Sequence, residues 1–475
     1  MAVQLSKKKP LAALGSRGIH CRVVGTLAFA AFTTLTFAQN GARDHARAQN
    51  YGFGDAPHGA MGWSAGPVPG MDGGTRIEHQ LMSGRRILEA TQATATWGTL
   101  HAVRYGNGVT GVVEHPIKSG YLSRTYVQGG RVLYARVYCQ NKFQRFGHTF
   151  AYERLVPGVA FGAAYYAWAA RPWSTPVNYR WGWEAEPWHR AYGRDFTPYS
   201  NYSSLDQWLT DYVIAQNLRN AYESRQAEQA PTNPNGVRVA PPVPGPRPYW
   251  ESSEPAQRPY WESPDAGGKP YWEESADPQP QQAQPKGSKK ARPAPKSRAG
   301  SKPASSADDA PPALSGDIKS ELNAQIKQRL AERQTQTTSL ATDDLPDSLK
   351  PGHTLFRVNT PLDVPSGASG GYCSLKPNDY IQRTGDMDSN GTVPVKVRLG
   401  AASDCSIGLA THVSVNDLEA MDNEQQQALT DALLAASKNM GGSGLPQAPS
   451  TTPVLLAAGQ TQPLPDAGMT LSQLQ

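Results

Sequence analysis

The residues with the clearest chemical potential lie in one aromatic segment. Six of the eleven tryptophans fall within 41 residues, at Trp168, Trp173, Trp181, Trp183, Trp188 and Trp208. Exposed indole rings stack on sugar faces, and polar side chains beside them bind hydroxyl groups. A glycan-binding site would therefore use Trp181, Trp183, Trp188, Glu184 and Glu186. The alternative is that the rings form the core of a small glycine-rich domain, and the burial of about 150–250 Å² per ring favours it.

Glu184 and Glu186 also raise a hydrolase hypothesis, because paired carboxylates act as acid and base at glycosidic bonds. Two glutamates at positions i and i+2 occur in many chains, so their spacing gives this mechanism little support. The sequence contains neither an H-E-x-x-H zinc motif nor a Walker phosphate loop. We therefore expect a non-catalytic protein with no catalytic residues and no cofactor.

The segment from Asp386 to Gly391 matches the first half of a calcium-binding loop. Position 12 of that loop requires a bidentate glutamate, and Val397 stands there instead. Asn390-Gly391 is also a strong hairpin signal. The hairpin interpretation is favoured, and we expect no metal site.

Cysteine usage indicates an oxidising compartment. Three cysteines remain after the signal sequence described below, namely Cys139, Cys373 and Cys405. Cys373 and Cys405 lie in one compact C-terminal segment and are predicted to form a disulfide. Cys139 follows Ala135 and Val137 on one face of an alternating strand, which predicts a buried core thiol.

The first 38 residues are typical of a secretory signal peptide. Basic residues precede a 15-residue apolar run from Val23 to Phe37, and Thr36-Phe37-Ala38 suits cleavage after Ala38. A membrane span needs about 20 residues, so the run is short for one. An uncleaved N-terminal anchor is the alternative. We predict an exported protein, periplasmic or extracellular, with no membrane span once the signal is removed.

The spacing of apolar residues along the chain predicts the strands and helices that position these residues. Short alternating runs from about Thr75 to His148 predict antiparallel strands, and Gly129-Gly130 suits a two-residue hairpin turn. A helix from about Leu205 to Gln229 closes this aromatic module. Further helices are predicted from Gly316 to Arg333 and, after strands, from near Ser414 to Gly441.

Residues 231–313 hold 19 of the 40 prolines and predict a long disordered linker. Within it a Pro-Tyr-Trp-Glu motif recurs at a period of 11, in Arg247–Glu251, Arg258–Glu262 and Lys269–Glu273. Two interpretations stay open: a multivalent docking site, because tandem copies raise avidity, or a duplicated spacer.

A basic stretch from Lys286 to Lys302 follows the repeats. It is either a solvated tether or a salt-sensitive contact with anionic envelope polymers.

Composition agrees with folded modules joined by flexible tracts. The 45 glycines and 40 prolines among 475 residues exceed the usual shares of about 7% and 5%. A formal charge of +6 is too mild over this length to indicate nucleic acid as a specific partner.

The predicted fold is mainly β with appended helices (α+β), in two small modules joined by a long disordered Pro-rich linker. The C-terminal module is expected to be an SH3-like or similar small barrel. The predicted boundaries are a signal peptide at 1–38, a flexible Gly-rich lead at 39–75, a β-rich aromatic module with its closing helix at 76–229, the linker at 230–313, a helix at 314–344, a small β module with a C-terminal helix at 345–440, and a disordered tail at 441–475.

Parts of the chain resemble a family of exported, Tyr- and Trp-rich bacterial proteins with a Pro-rich linker and a small C-terminal β module. The stretches that carry the resemblance are Val113–Pro116, Arg124–Val127, Tyr134–Tyr138, Pro176–Trp183, Pro187-Trp188, Trp208–Tyr212 and Cys373–Ile381. The family has no established activity, so the resemblance implies export and layout only.

The preferred function is an exported, non-catalytic cell-envelope protein that acts as a scaffold or binding module. The alternative is a protein that binds or processes cell-wall glycan through the Trp181–His189 segment. Cell-wall glycan and envelope proteins are the expected classes of partner.

Overall fold

The structure is a computed structural model that describes the chain in eleven ranges. They are 63–67, 75–80, 86–105, 110–193, 196–229, 314–336, 345–366, 371–399, 405–441, 444–449 and 452–472. The signal peptide, the predicted linker with its repeats and the basic stretch lie outside these residues. Within the described ranges, no helix combines the length and apolar character needed to cross a membrane.

The N-terminal half builds an eight-stranded antiparallel sheet in which each strand pairs with its neighbours in sequence. The strands are β1 (Trp63–Pro67), β2 (Thr75–Gln80), β3 (Arg86–Thr94), β4 (Gly98–Arg104), β5 (Thr110–Lys118), β6 (Tyr121–Gln128), β7 (Arg131–Arg145) and β8 (His148–Leu155). Connections this short cannot make a crossover, so successive strands pair antiparallel. The predicted turn is present between β6 and β7, where Gly129 and Gly130 have φ of 58° and 76°, which glycine adopts without steric cost. β1 lies inside the predicted flexible lead, so that prediction is wrong for Trp63–Pro67.

Side-chain alternation gives this sheet two covered faces. One face carries Val113, Ser123, Thr125, Val127 and Val137 and is called here the tail face. The opposite face carries Glu114, Arg124, Tyr126, Arg136 and Tyr138 and is called the helix face. Ion pairs run across the helix face, with Arg124 Nε 2.6 Å from Glu114 Oε2 and Arg136 Nη1 2.5 Å from Glu424 Oε2.

Three helices and three short strands follow the sheet. They are β9 (Val159–Ala160), α1 (Ala163–Ala169), β10 (Pro172–Val177), α2 (Pro187–Tyr192), β11 (Tyr202–Ser204) and α3 (Leu205–Gln229). α3 is the predicted closing helix, and its end at Gln229 is confirmed. β10 pairs antiparallel with β11, which brings the aromatic segment back onto the start of α3.

The C-terminal half is a mixed α+β unit. Its elements are α4 (Gly316–Gln336), β12 (Leu355–Arg357), β13 (Leu362–Ser366), β14 (Gly371–Leu375), β15 (Tyr380–Arg383), β16 (Thr392–Leu399), β17 (Ala410–Ser414) and α5 (Val415–Asn439). Strands β12, β15, β16 and β17 form one sheet, and the β13–β14 hairpin packs on β17. Cys373 and Cys405 lie at disulfide distance, S–S 2.07 Å, as predicted.

The Asp386–Gly391 segment forms a turn that uses its own carboxylate. Asp388 Oδ1 accepts hydrogen bonds of 2.9 Å from the backbone N–H groups of Asn390 and Thr392. Asp388 Oδ2 accepts a 2.7 Å hydrogen bond from the Thr392 hydroxyl. This agrees with the hairpin interpretation.

The two halves do not form separate small modules, contrary to the prediction, because they share their cores. One core joins Tyr165 and Trp208 of the N-terminal half to Ile326 and Leu433 of α4 and α5. A second joins Phe143 and Tyr152 of β7 and β8 to C-terminal residues that include Met387 and Val393. Each half presents an apolar face that the other half covers, and this pairing lies beyond local sequence pattern.

The predicted disordered tail at 441–475 is also corrected. It contains β18 (Val454–Leu455), which pairs with β9, and α6 (Ala467–Ser472), which packs on the tail face of the sheet. Its Pro- and Gln-rich composition indicated disorder, but four apolar residues are buried there, namely Leu445, Leu464, Ala467 and Leu471.

Candidate functional site

The aromatic segment forms a column of stacked rings. Trp183 stacks on Trp181 with ring centroids 4.1 Å apart, and Trp181 stacks on Trp208 at 4.7 Å. Trp208 stacks in turn on Tyr212 at 5.3 Å. Trp208 and Tyr212 belong to α3, whereas Trp181 and Trp183 lie between β10 and α2. The helix therefore supports the loop through stacking, worth about 0.5–1.5 kcal/mol per pair beyond burial.

Hydrogen bonds connect this column to a buried ion pair. Trp181 Nε1 donates to Tyr202 Oη at 2.6 Å, and Tyr202 Oη donates to Asp211 Oδ2 at 2.8 Å. Lys319 Nζ lies 2.7 Å from Asp211 Oδ1 and 3.7 Å from the ring centroid of Tyr199. Lys319 belongs to α4, so the chain after residue 313 helps to hold the aromatic column.

The charges of this ion pair are kept from water. Burial raises the pKa of Asp211, and its hydrogen bond with Lys319 opposes that rise. Burial lowers the pKa of Lys319, and Asp211 opposes that change. Opposite shifts of this kind come from desolvation of two partners that compensate each other. The pair is therefore suited to holding structure.

The structure brings some of the predicted ligand-binding residues together but buries one of them. Trp183 and Trp188 contact edge to face at 5.6 Å, and Trp188 is only 3% exposed. Trp181 and Trp183 are half-buried. Glu184 is exposed, whereas Glu186 Oε2 lies 3.3 Å from Arg219 Nη2 of α3. The three predicted rings therefore serve mainly as core, and of these three only Trp181 and Trp183 keep exposed surface.

A second cluster of buried ionisable groups was missed from the sequence. Arg329 of α4 pairs with Asp422 of α5, and His353 Nδ1 lies 3.1 Å from Asp422 Oδ1. His353 Nε2 lies 3.0 Å from Glu332 Oε2. The one available signal was that Arg329 follows Leu322 at helical spacing, on the inward face of α4. The partners are far apart in sequence and have no shared motif.

Glu419 lies beside this cluster on α5. Its Oε2 accepts a 2.9 Å hydrogen bond from the Ser348 backbone N–H, and its Oε1 is buried without a hydrogen-bond partner. Burial raises the pKa of Glu419 to about 8, and the nearby Asp347 and Asp422 carboxylates add to the rise. A carboxyl that stays protonated near neutral pH suits acid–base chemistry. At 1% exposure, however, Glu419 lies inside a packed core.

Short catalytic-motif matches in the chain fail in their structural context. A G-x-S-x-G match at 62–66 puts Ser64 inside β1, paired with Glu78, whereas the nucleophile elbow needs a strand-to-helix turn. A G-x-G-x-x-G match at 106–111 follows β4 and ends inside β5, at Thr110 and Gly111, rather than before a helix. A second G-x-S-x-G match at 367–371 has its serine outside the described residues.

A metal centre was not expected from the sequence. In the described ranges, no group of three or more His, Cys, Asp or Glu side chains is arranged to hold a metal ion.

Comparisons with protein-family models, with curated proteins and with solved structures found no match to this chain. Its function must therefore be argued from its own residues, because a fold by itself does not imply an activity.

Proposed function

We propose that the protein is an exported, non-catalytic scaffold of the cell envelope, periplasmic or extracellular, that presents the three Pro-Tyr-Trp-Glu motifs to an envelope partner. The observation that carries this proposal is the core shared by the two halves of the chain. Both flanks of the motif-bearing segment belong to that core.

The flanks of this segment are also joined by polar contacts. α3 ends at Gln229 and α4 begins at Gly316. Asn323 Nδ2 of α4 donates to Asp206 Oδ2 at 2.9 Å and to Thr210 Oγ1 at 3.1 Å, both on α3. Residues 230–313 are thus attached at both ends to one folded body rather than linking two independent ones. Repeated motifs on one support raise the avidity for a multivalent partner without a new contact.

The use of the chemistry-bearing side chains supports a non-catalytic role. The tryptophan column packs on α3, and Tyr202, Asp211 and Lys319 satisfy one another in the interior. The Cys373–Cys405 disulfide supports export, because such bonds persist in oxidising compartments. Mass spectrometry of the protein from its producing cells tests export directly: we expect the mature chain to begin at Gln39.

Co-sedimentation with isolated cell envelopes tests the scaffold role. Full-length protein is compared with variants in which Tyr-Trp becomes Ala-Ala in one, two or three motifs, at Tyr249-Trp250, Tyr260-Trp261 and Tyr271-Trp272. We expect a stepwise loss of envelope binding with each altered motif. The matched control changes the flanking Ser252, Ser263 and Ser275 to Ala and should bind as the native protein does. Equal binding by the triple-motif variant would overturn the proposal.

The partial exposure of Trp181 and Trp183 supports cell-wall glycan as a second candidate ligand. The test is retention on purified peptidoglycan of native protein, Trp183→Ala and Trp183→Phe. If these rings form a sugar platform, Trp183→Ala loses retention and Trp183→Phe keeps most of it. Equal retention by all three proteins would exclude the sugar platform and leave the scaffold proposal standing.

We also propose that strands β12–β17 form a small barrel of the SH3-like kind. The packing of the β13–β14 hairpin on β17, beside the four-stranded sheet, supports this arrangement. An experimental structure in which the two sheets remain open and unclosed would contradict it.

A further inference from the structure

The C-terminal segment lies on the tail face of the eight-stranded sheet. Its apolar residues Leu464, Ala467 and Leu471 pack together with sheet residues Ala90, Ala102, Val113 and Val127. Thr125 Oγ1 accepts a 2.9 Å hydrogen bond from the Leu464 backbone N–H. The Ser123 and Thr461 hydroxyls are 3.1 Å apart. The segment therefore combines apolar anchors with two polar contacts.

The sheet is shaped to accept this segment. A Cβ atom at Gly111 would lie 2.7 Å from Leu471 Cδ1, and one at Gly468 would lie 2.4 Å from the Gly130 carbonyl oxygen. Ser123 and Thr125 are fully buried hydroxyl residues among apolar neighbours, and both bond to the segment. Ala467 and Leu471 lie one turn apart on α6, and Leu464 anchors the residues that precede this helix. We call the tail-face surface contacted by Leu464, Ala467 and Leu471 the groove.

The segment is joined to the rest of the chain in a way that permits exchange. α5 ends at Asn439, and the connection to β18 contains Gly441 and Gly444, with φ of 75° and 92°. The outer side of the segment is apolar as well. Val454, Leu455 and Met469 are three of the seven exposed large hydrophobic side chains in the described ranges. A second chain could cover this outer surface and remove it from water.

We propose that the groove is a docking site for a second copy of this chain, which inserts its own residues 452–472 in place of the resident segment, so that its β18 pairs with β9 of the first copy. The contacts between the segment and the groove are the same whether both belong to one chain or to two. The exchange therefore loses none of these contacts, and a second chain adds contacts at the exposed apolar surface of the segment. Exchange of an identical element is a low-cost route to a dimer. The inference does not depend on the proposed scaffold function.

Complementation between two full-length variants tests the exchange. The segment variant, Leu464→Asp with Leu471→Asp, has an open groove but a segment that cannot enter one. The groove variant, Ala102→Phe, has an intact segment but a filled groove. We expect each variant alone to be monomeric by gel filtration with light scattering, and an equimolar mixture to form a 1:1 heterodimer. Native protein should shift toward dimer as its concentration rises.

A matched control separates the effect of charge from that of the anchors. Gln462→Asp with Pro465→Asp adds the same charge at exposed positions and should behave as native protein. If Ala102→Phe fails to fold, a labelled synthetic peptide of residues 458–475 is titrated into the full-length segment variant. Saturable 1:1 binding, at least tenfold tighter than to native protein, supports the groove. A mixture that stays monomeric, or a peptide that does not bind a folded segment variant, would overturn the proposal.

Discussion

At the residue scale, the interior is held by ionisable groups that compensate one another. Burial alone would raise the pKa of Asp422, but Arg329 and His353 hold it below its ordinary value. Burial lowers the pKa of His353, whereas the carboxylates of Asp422 and Glu332 raise it. The net result is a raised pKa. Removal of one partner from such a group leaves an uncompensated buried charge, which typically costs about 3–5 kcal/mol.

Glu419 should make the stability of the protein depend on pH. Its pKa of about 8 lies above the ordinary value of 4.5, so the folded state keeps a proton that the unfolded state releases. The free energy of unfolding is therefore expected to fall as the pH rises from about 5 to about 8, by up to about 1.4 kcal/mol per pH unit. Glu419→Gln has no proton to lose, so urea unfolding should show a smaller slope and greater stability than native protein at pH 8.

The control for this experiment is Glu332→Gln. Burial raises the pKa of Glu332, but the hydrogen bond and charge of His353, together with Gln328 and Arg329, outweigh burial and lower it, so Glu332 titrates below this pH window. Glu332→Gln should therefore keep the contribution of Glu419 to the pH dependence of the free energy of unfolding. The raised pKa of His353 also makes the free energy of unfolding fall as the pH rises. Some dependence on pH therefore remains in Glu419→Gln. Identical slopes in native protein and Glu419→Gln would show that Glu419 is not the titrating group.

Tyr202→Phe should weaken the aromatic column. The change removes the acceptor of the Trp181 indole N–H and a donor to Asp211. A buried polar group without its partner costs about 1–3 kcal/mol, so we expect the free energy of unfolding to fall by that amount. Urea unfolding followed by tryptophan fluorescence measures it. Tyr179→Phe changes a ring 4.8 Å from Trp181 and should cost less than half as much; equal costs would contradict this role for the Tyr202 hydroxyl.

At the scale of elements, α5 joins the two halves of the chain. Its start is capped by Ser414, whose Oγ accepts a 3.1 Å hydrogen bond from the Asp417 backbone N–H. Further along the helix, Asn423 contacts the edge of β8. Its Oδ1 accepts from the Leu155 backbone N–H at 2.8 Å, and its Nδ2 donates to the Glu153 carbonyl at 2.7 Å. One side chain thus satisfies backbone groups at an otherwise open strand edge.

Asn423→Leu should expose this edge. Both backbone groups lose their partner, and each unsatisfied buried group costs about 1–3 kcal/mol. We therefore expect the free energy of unfolding to fall by about 2–6 kcal/mol. Hydrogen exchange at the Leu155 amide should accelerate more than exchange in the centre of the sheet. Asn439→Leu is the control, because the Asn439 amide serves only its own helix at Ala435. Unchanged exchange at Leu155 in Asn423→Leu would disprove the edge role.

At the scale of the whole molecule, the shared cores predict one cooperative unit. All eleven tryptophans lie at or before Trp272, so their fluorescence reports no residue of the C-terminal half directly. The Cys373–Cys405 disulfide lies entirely in that half and closes a loop of 32 residues. Unfolding of the two halves is coupled if they share a core, so a change in one should alter the transition of the other.

Cys373→Ser with Cys405→Ser should therefore lower the urea midpoint reported by tryptophan fluorescence. A loop of this length contributes about 3–4 kcal/mol through chain entropy. Far-UV circular dichroism should show the same midpoint as fluorescence, in native protein and variant alike. As a control, Cys139→Ser leaves the disulfide in place. If the urea midpoint measured by fluorescence does not change when the disulfide is removed, the two halves unfold independently.

The sequence by itself determined the local elements. α3, α4 and α5 begin and end close to their predicted residues, and the Gly129-Gly130 turn joins β6 to β7 as expected. Apolar period, capping residues and turn glycines act within a few positions of the chain. The pairing of Cys373 with Cys405 was also predictable, because these two cysteines share one compact segment.

Only the tertiary structure decided how these elements combine. The shared cores, the Arg329–Asp422–His353 cluster and the seat of residues 461–472 join positions far apart in sequence. The aromatic segment is an example. Its residues were identified from the sequence, but the burial of Trp188 and Trp208 in the core depends on α3 and α4. An amphipathic pattern states that a face must be covered, and the partner that covers it is chosen by the shapes and charges of distant segments.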